Sequence, residues 1–600
     1  MRRAVAVGLL CLWGGEPAIA EDDAVSYSER LTPDGDEPDQ AAPIGFHGDI
    51  RTRAREVRSP GSTYQSAPPQ LQHNLYFYQR ARMSWGPVSG GGLVKRASVG
   101  PALSIDNLRE YGTLKGNVEL KEVGPVQRLV AGNYTLVFGQ GLLFYDGFGE
   151  FVRPIDVKNK GPRPDYTSGN NDYLRGGSVR LQFGRVGVDL FASDKPLDFS
   201  LNPDGSVNAN LDDLHEGTGD VQTQRALDTN NTVTERLMGG RGSLRWGQAE
   251  WGVSGYGLSY SRSFAPVDRE FADARAFRGD GLTLTGTDVA VPWGAWKWVG
   301  ELARSKSPGD PSVESGATGW TSTVMWNGPG SHFWLGLFDY DPDFISPHGK
   351  GLSYGVSGGV ESVPRNQAGG VWGGEWKRGP WSGRANITLA RFPEAKGNGS
   401  NSDPVAPSQA HYILLDQRWT PDKEWEFRVS FQNRKEDKLY ENANVKRQAA
   451  SDTQKWRAAV SWAPAPSVRW TVRRDERIER VDSLGEKAVG RLWLADAVAQ
   501  PWNKTRVKVR AYFFNSPEAY LTTGPEEIWD GVVYDRLAGN LGNLRGDPGT
   551  RIYLIAGQEW GPARFWGKIE MTQRASVSDG RTDSSTPDRR AWHVQSDICF

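Results

Sequence analysis

Cations recur at alternate positions in several short stretches of this chain. Arg51, Arg53 and Arg55 share one parity, as do Arg80 and Arg82; later, Arg469 and Arg473, and then Arg506, Lys508 and Arg510, do the same. In an extended strand, residues two apart lie on one face. A face of cations lining an enclosed path raises the local concentration of anions and sets the selectivity of a pore. The same pattern also arises where a polar face is neutralised by carboxylates on neighbouring strands, because opposite charges paired across strands are favourable. Glu426, Glu570 and Asp597 are available for that. The sequence leaves both readings open.

Other chemistry finds little footing. The seven histidines (His47, His73, His215, His332, His348, His411, His593) are scattered without metal-ligand spacing. The run Phe338-Asp339-Tyr340-Asp341-Pro342-Asp343 sets three aspartates at alternate positions, a pattern that fits weak Ca²⁺ binding or, more commonly, a solvated loop tip. It lacks the glycine and distal glutamate of a dedicated calcium loop. No Gly-Lys-Ser/Thr phosphate loop and no basic-aromatic platform for single-stranded nucleic acid is present. Serines and aspartates are numerous, so a nucleophile, base and orienter assembled in space on a membrane-embedded hydrolase stays the least favoured alternative. No enzyme activity, cofactor, metal or nucleic-acid partner is assigned.

The elements that carry these residues alternate with period two. Val468, Trp470 and Val472 oppose Arg469 and Arg473; Val507, Val509, Ala511 and Phe513 oppose Arg506, Lys508 and Arg510. Trp425, Phe427, Val429 and Phe431, and likewise Trp456, Ala458, Val460 and Trp462, mark further half-apolar strands. Between such strands fall short reversals at Trp85-Gly86-Pro87, Gly124-Pro125, Phe183-Gly184-Arg185, Trp246-Gly247-Gln248 and Trp293-Gly294-Ala295. They continue at Asn327-Gly328-Pro329, Arg378-Gly379-Pro380, Thr420-Pro421-Asp422, Ala463-Pro464-Ala465, Pro501-Trp502-Asn503 and Trp560-Gly561-Pro562. Gly and Pro there set tight turns, and flanking indoles suit a bilayer interface. With 71 basic and 72 acidic side chains no global field favours a charged partner. Mean hydropathy is −0.57, and no stretch beyond the leader approaches the roughly 20 apolar residues a spanning helix needs. A soluble propeller would bury its inner strands on both faces and lack this regular charge.

Residues 1–20 read as a secretory signal: Arg2 and Arg3, an apolar middle over Val5–Trp13, then Ala18-Ile19-Ala20. Cys11 lies within it, so the mature chain keeps Cys599 and forms no internal disulfide. Residues 21–44, acidic and proline-bearing, read as a flexible periplasmic lead-in, too short for the plug domain of a gated transporter. The final stretch sets Trp592, Val594, Ile598 and Phe600 on one parity and His593, Gln595 and Asp597 on the other. A chain closing on an aromatic after such a strand resembles the bacterial outer-membrane β-barrels. The resemblance implies that Trp592, Val594, Ile598 and Phe600 carry the assembly signal read by the barrel-assembly machinery. It also implies a lipid bilayer and lipopolysaccharide as surroundings.

The expected fold is therefore all-β: one large up-and-down antiparallel transmembrane barrel over 45–600 with roughly 24 strands (about 22–26), an even number as bacterial barrels require. Loops opposite the tight turns are longer. The largest, Leu142 to Tyr173 and Asp194 to Gly240, are candidates to fold into the lumen as a constriction. The segment Gly132-Asn133-Tyr134-Thr135-Leu136-Val137-Phe138-Gly139-Gln140-Gly141-Leu142, followed by Ser168-Gly169-Asn170-Asn171-Asp172-Tyr173-Leu174-Arg175-Gly176-Gly177, resembles part of some large outer-membrane barrels that accompany competence-type helix-hairpin-helix proteins. Asp172 stands where those barrels carry Glu, and the match assigns no solute. Gly139 and Gly141 are expected to bend the strand where it leaves the membrane, with Arg175 paired to Asp172 or turned inward. The function expected is a porin-like channel or transporter for polar solutes, anionic ones included, with Arg51, Arg53, Arg55, Arg80, Arg82, Arg469, Arg473, Arg506, Lys508 and Arg510 lining the pore. The alternative is a loop-sealed barrel anchoring a surface or secretion assembly through an unidentified periplasmic or surface partner.

Overall fold

In a computed structural model, the structure describes residues 46–58, 75–96, 113–145, 160–166, 173–209, 229–266, 277–307, 316–352, 365–394, 406–442, 445–481, 486–502, 504–521, 544–574 and 588–599. The leader expected at 1–20, the lead-in at 21–44 and Phe600 lie outside them.

The period-two runs form strands in chain order. They are β1 (Phe46–Arg58), β2 (Leu75–Trp85), β3 (Val88–Arg96), β4 (Thr113–Val123), β5 (Val126–Val137), the short β6 (Gly161–Pro164), β7 (Leu174–Phe183) and β8 (Val186–Leu197). Next come β9 (Val233–Trp246), β10 (Ala249–Phe264), β11 (Gly279–Trp293), β12 (Trp296–Lys306), β13 (Ala317–Gly328), β14 (Ser331–Tyr340), β15 (Gln367–Arg378) and β16 (Trp381–Phe392). The rest are β17 (Ser408–Trp419), β18 (Trp425–Asn442), β19 (Val445–Ala465), β20 (Val468–Val481), β21 (Glu486–Ala499), β22 (Thr505–Leu521), β23 (Leu544–Trp560), β24 (Ala563–Arg574) and β25 (Asp588–Cys599).

Each strand pairs antiparallel with its neighbour in sequence, except that β5 pairs directly with β7 while β6 adds on beyond Tyr134. β1 then pairs with β25, Ile50 opposite Ile598 and Arg55 opposite His593, which closes the sheet. Leaving β6 aside, the wall is a closed antiparallel barrel of 24 strands, the number the turn count gives. No helix of the described residues is long and apolar enough to cross a membrane, which says nothing against crossing by strands.

All eleven reversals fall at one rim. Two of them sit slightly downstream of the sequence reading, at Pro329-Gly330 and Pro466-Ser467, because β13 runs through Gly328 and β19 through Ala465. Gly86 has φ +55° and precedes Pro87, whose ring fixes a negative φ. That order is the type II′ turn, whose twist matches the flanking strands. Neighbouring hairpins are tied at this rim: the Lys121 amide donates to the Pro87 carbonyl at 2.8 Å, and the Gln182 amide to the Pro125 carbonyl at 2.9 Å. Indoles collect there too. Trp381 stacks on Trp419 (5.6 Å between ring centres), and Trp425 stacks on Trp462 (5.9 Å).

The outer surface is apolar. Val509, Phe513, Val472, Leu335, Ile569 and Val594 are exposed, while Tyr512, Arg473, Trp334, Glu570 and His593, of opposite parity, are buried. Trp592 and Ile598 share the outward face, so the described part of the C-terminal stripe meets lipid. Closure, even strand number, a greasy exterior and an aromatic girdle define a bacterial outer-membrane β-barrel.

A charge forced onto this surface has no aqueous escape. Replacing Leu335, midway along β14, by Arg is expected to destabilise the barrel by about 2–4 kcal/mol. Urea titration of folding into lipid vesicles measures this, and an unchanged midpoint would place Leu335 away from lipid.

Candidate functional site

The interior is divided. From β5 round to β15 most of the inward face is apolar, with Tyr134, Phe191, Tyr256, Leu284, Val299, Trp334 and Phe338 buried in one cluster and a few buried charges, Asp189, Glu235, Arg241, Asp288 and Glu301, set among them. Strands such as β14 are thus apolar on both faces, unlike the polar-in pattern of the late strands. What covers the inward face is chain from the long loops.

Leaving β5, residues 138–145 turn into the barrel and are buried except at Tyr145. Gly141 takes φ +87°, and a Cβ there would lie 2.6 Å from the Lys350 carbonyl oxygen, so the backbones approach as only glycine allows. The Phe144 ring packs edge-on to Phe191 (5.1 Å) and lies 4.6 Å from Tyr256. A second loop, 341–352, lies against the first. The Lys350 amide donates to the Gly141 carbonyl (2.7 Å), the Tyr145 amide to the His348 carbonyl (2.9 Å), and the Ser346 hydroxyl to the Leu142 carbonyl.

Two buried carboxylates of the wall hold this pair of loops. Glu301 on β12 accepts the amide N–H groups of Gln140 and of Leu142 (3.1 Å). Glu235 on β9 accepts the Tyr260 hydroxyl (3.2 Å) and contacts His348 Nε2 at 3.1 Å. The buried Arg241 pairs with Asp288, its Nη2 3.0 Å from Oδ1, and its guanidinium lies 5.4 Å from the Phe138 ring centre. Satisfying the turn's amides inside a dry cluster is what makes its burial tolerable.

The two loops read as candidates for the lumen both contribute. From the first come 142–145 and then 160–166, where the buried Asp165 pairs with Lys115 of β4. Lys115 and Lys195 place their Nζ atoms 4.2 and 4.3 Å from the Tyr173 ring centre; burial first, and then the Asp165 charge, push that phenol up to about 12. From the second, 197–209 fold back so that the Val207 amide donates to the Ser263 carbonyl at 2.9 Å. Arg175 is exposed and its amide donates to Ser193 Oγ (2.9 Å); Asp172 lies outside the described residues.

The aspartate run reads differently in space. Asp341 Oδ2 accepts the Thr318 amide (2.7 Å) and hydroxyl (2.8 Å), while Tyr340, Phe344 and Ile345 are buried. The run leads into the second inward loop, with Asp341 itself still exposed. Among the described residues no group of three His, Cys, Asp or Glu side chains is placed to hold a metal.

From β16 through β25 to β2 the inward face carries most of the charge, interrupted by a buried apolar cluster of Leu492, Leu494, Tyr512, Phe514, Tyr553 and Ile555 on β21, β22 and β23. Arg51 donates to Asp597 (2.6 Å), Arg53 to Gln595 (2.9 Å), and Arg55 stands opposite Tyr76 and His593 in the register. Arg473 pairs with Asp475 (2.9 Å); Arg510 Nε donates to Asp496 (3.1 Å), with Lys508 at 4.0 Å. Arg469 and Arg506 are exposed, four residues nearer the short-turn rim on their strands than Arg473 and Arg510. Five carboxylates of this sector each serve two cations. Asp49 lies between Arg80 (3.3 Å) and Arg82 (2.6 Å), Asp416 between Arg384 (3.3 Å) and Arg428 (2.6 Å). Asp475 lies between Arg457 (3.0 Å) and Arg473, Asp496 between Arg510 and Lys508, and Glu570 between Arg551 (2.7 Å) and Lys568 (3.3 Å). Of the carboxylates read as neutralising, Glu570 and Asp597 do pair closely, and Glu426 lies 3.7 Å from Arg418.

No family model matches the chain, and no curated protein is similar to it. Among solved structures it is similar to the siderophore receptor PirA of Pseudomonas aeruginosa, at 10% identity over 92% of this chain and 80% of that one, TM-score 0.42. It is similar also to the copper transporter OprC (9%, 94% and 84%, TM-score 0.40) and to the P pilus usher PapC translocation pore (7%, 92% and 99%, TM-score 0.35).

Glu301→Ala leaves two buried amides without an acceptor, at a cost of about 1–3 kcal/mol each. The expected results are faster limited proteolysis within 138–145 and a higher single-channel conductance from the same folded barrel. Unchanged cleavage and conductance would show that Glu301 does not hold the loop.

Proposed function

We propose that the protein is an outer-membrane channel or transporter for polar, chiefly anionic, solutes. The path follows the charged sector from β16 to β2, past loops that fill the opposite side. The observation that carries this reading is the two-to-one ratio of cations to carboxylates at Asp49, Asp416, Asp475, Asp496 and Glu570. Pairing orders the guanidinium groups without cancelling their charge, and a positive wall beside low-dielectric protein favours anions. The cations then act as a polar and electrostatic lining with no catalytic part.

A second reading is supported by the closeness with which loops 138–145 and 341–352 are knit: a sealed barrel that anchors a surface or secretion assembly. Electrical recording separates the two. Purified protein in planar bilayers is expected to conduct and, in a salt gradient, to give a reversal potential on the anion side. Changing Arg51, Arg53, Arg55, Arg469 and Arg473 together to Gln should move that potential toward zero. A silent protein that co-purifies with a stoichiometric partner would support the anchor, and an unmoved potential would take these five arginines out of the lining.

A further inference from the structure

We infer that the inner wall at β18, β19 and β20 carries a discrete oxyanion-binding site built on Arg434, Lys455 and Arg477, for a phosphate or carboxylate group of a solute. As a statement of purpose this rests on the channel reading above; as a statement of binding it is tested apart from it.

The register supplies the first argument. Lys455 stands directly opposite Arg477 across β19 and β20, and opposite Gln432 across β18 and β19. Like charges directly opposite one another destabilise a sheet. Arg434 is two residues beyond Gln432 on β18, hence diagonal to Lys455 on the same inward face. Arg477, Arg434 and Arg457 lie within electrostatic reach of Lys455, as does the Glu479 carboxylate. Arg477 in turn feels Arg434, Glu436 and Glu479. The three cations therefore share one neighbourhood.

The nearby carboxylates Glu436 and Glu479 engage the two arginines from further along their own strands. Arg434 Nε donates to Glu436 at 2.9 Å, and Arg477 Nη2 donates to Glu479 at 3.1 Å. Each partner lies two residues further along the same strand, on the side away from the short-turn rim. One row below, Arg457 and Arg473 both engage Asp475, Arg457 through Nε and Nη2 at 3.0 Å. The cluster as a whole holds five cations (Arg434, Lys455, Arg457, Arg473, Arg477) against three carboxylates (Glu436, Asp475, Glu479). At the level of Lys455 the row reads Gln432, Lys455, Arg477 and then Gly490 of β21, which brings no side chain. Two guanidinium groups oriented along their strands, a lysine between them and an amide donor beside it form a cradle suited to the planar or tetrahedral oxygens of an oxyanion. A bound oxyanion would also relieve the cation-on-cation contact that the register imposes.

Inorganic phosphate is the probe. With purified wild-type barrel in detergent, isothermal titration at low chloride is expected to show one saturable site. Lys455→Gln should weaken it about tenfold or more, the loss of one charge-assisted contact, with Lys455→Arg restoring most of it. In planar bilayers phosphate should depress the chloride current of the wild type at lower concentration than that of Lys455→Gln. Heat-modifiable migration on gels confirms that both variants are folded. Equal phosphate affinity in wild type and Lys455→Gln, or no saturable binding, overturns the site. Binding lost in Lys455→Gln from a barrel that passes no current supports the site while removing the channel reading, so the two failures are distinct.

Discussion

Hydrocarbon offers no water to an unpaired peptide group, so a chain that crosses it by strands must satisfy every backbone N–H and C=O within the sheet. The pairing of β1 with β25 meets that demand, since without it two edge strands would stand open to lipid. Closure also fixes what each residue faces. Once Ile50 is opposite Ile598 on the outside, Arg51 and Asp597 must meet on the inside, and the same parity passes round the wall strand by strand. The exterior of Val509, Phe513 and Ile569 and the interior of Arg510, Tyr512 and Glu570 are two faces of that single constraint.

The interior solves a second problem. A cylinder of 24 strands is too wide for wall side chains to fill. On one side chain from the loops occupies the space, and the inward residues there have become apolar to receive it. Phe138 and Phe144 meet Phe191 and Tyr256, while Glu301 and Glu235 supply the acceptors and contacts that the folded-in backbone and side chains need. On the other side the ion-paired face of Arg457, Asp475, Arg510 and Asp496 is compatible with water.

Much of the wall was legible in the sequence. Alternation in Val507–Phe513, the Gly-Pro reversals and the count of strand pairs all report the backbone's local geometry, which is written in adjacent residues. Turn placement slipped at Pro466 because Ala463-Pro464-Ala465 offers the same composition one pair earlier, and only pairing to β20 decides the register. The inward loops were less legible: 138–145 carries a glycine signal, but 341–352 reads as polar because its buried Phe344 and Ile345 follow directly on Asp341, Pro342 and Asp343. Glu301 and Glu235 were missed since their partners lie 161 and 113 residues away in the chain. A signal existed: each is a lone carboxylate with apolar residues two positions away on either side of the inward stripe, Val299 and Ala303 flanking one, Val233 and Leu237 the other. The doubling of cations on each carboxylate was not readable at all, for it depends on which strands are neighbours.

The short-turn rim, with its hairpins hydrogen-bonded one to the next and its stacked indoles, behaves as a hoop. Strand number and stagger set the girth of such a cylinder, and neither can change without breaking hydrogen bonds in hydrocarbon. Any widening or narrowing of the bore must therefore come from soft matter inside a stiff pipe. The sheet serves as casing, and its filling is the two knitted loops and the long side chains of the opposite wall.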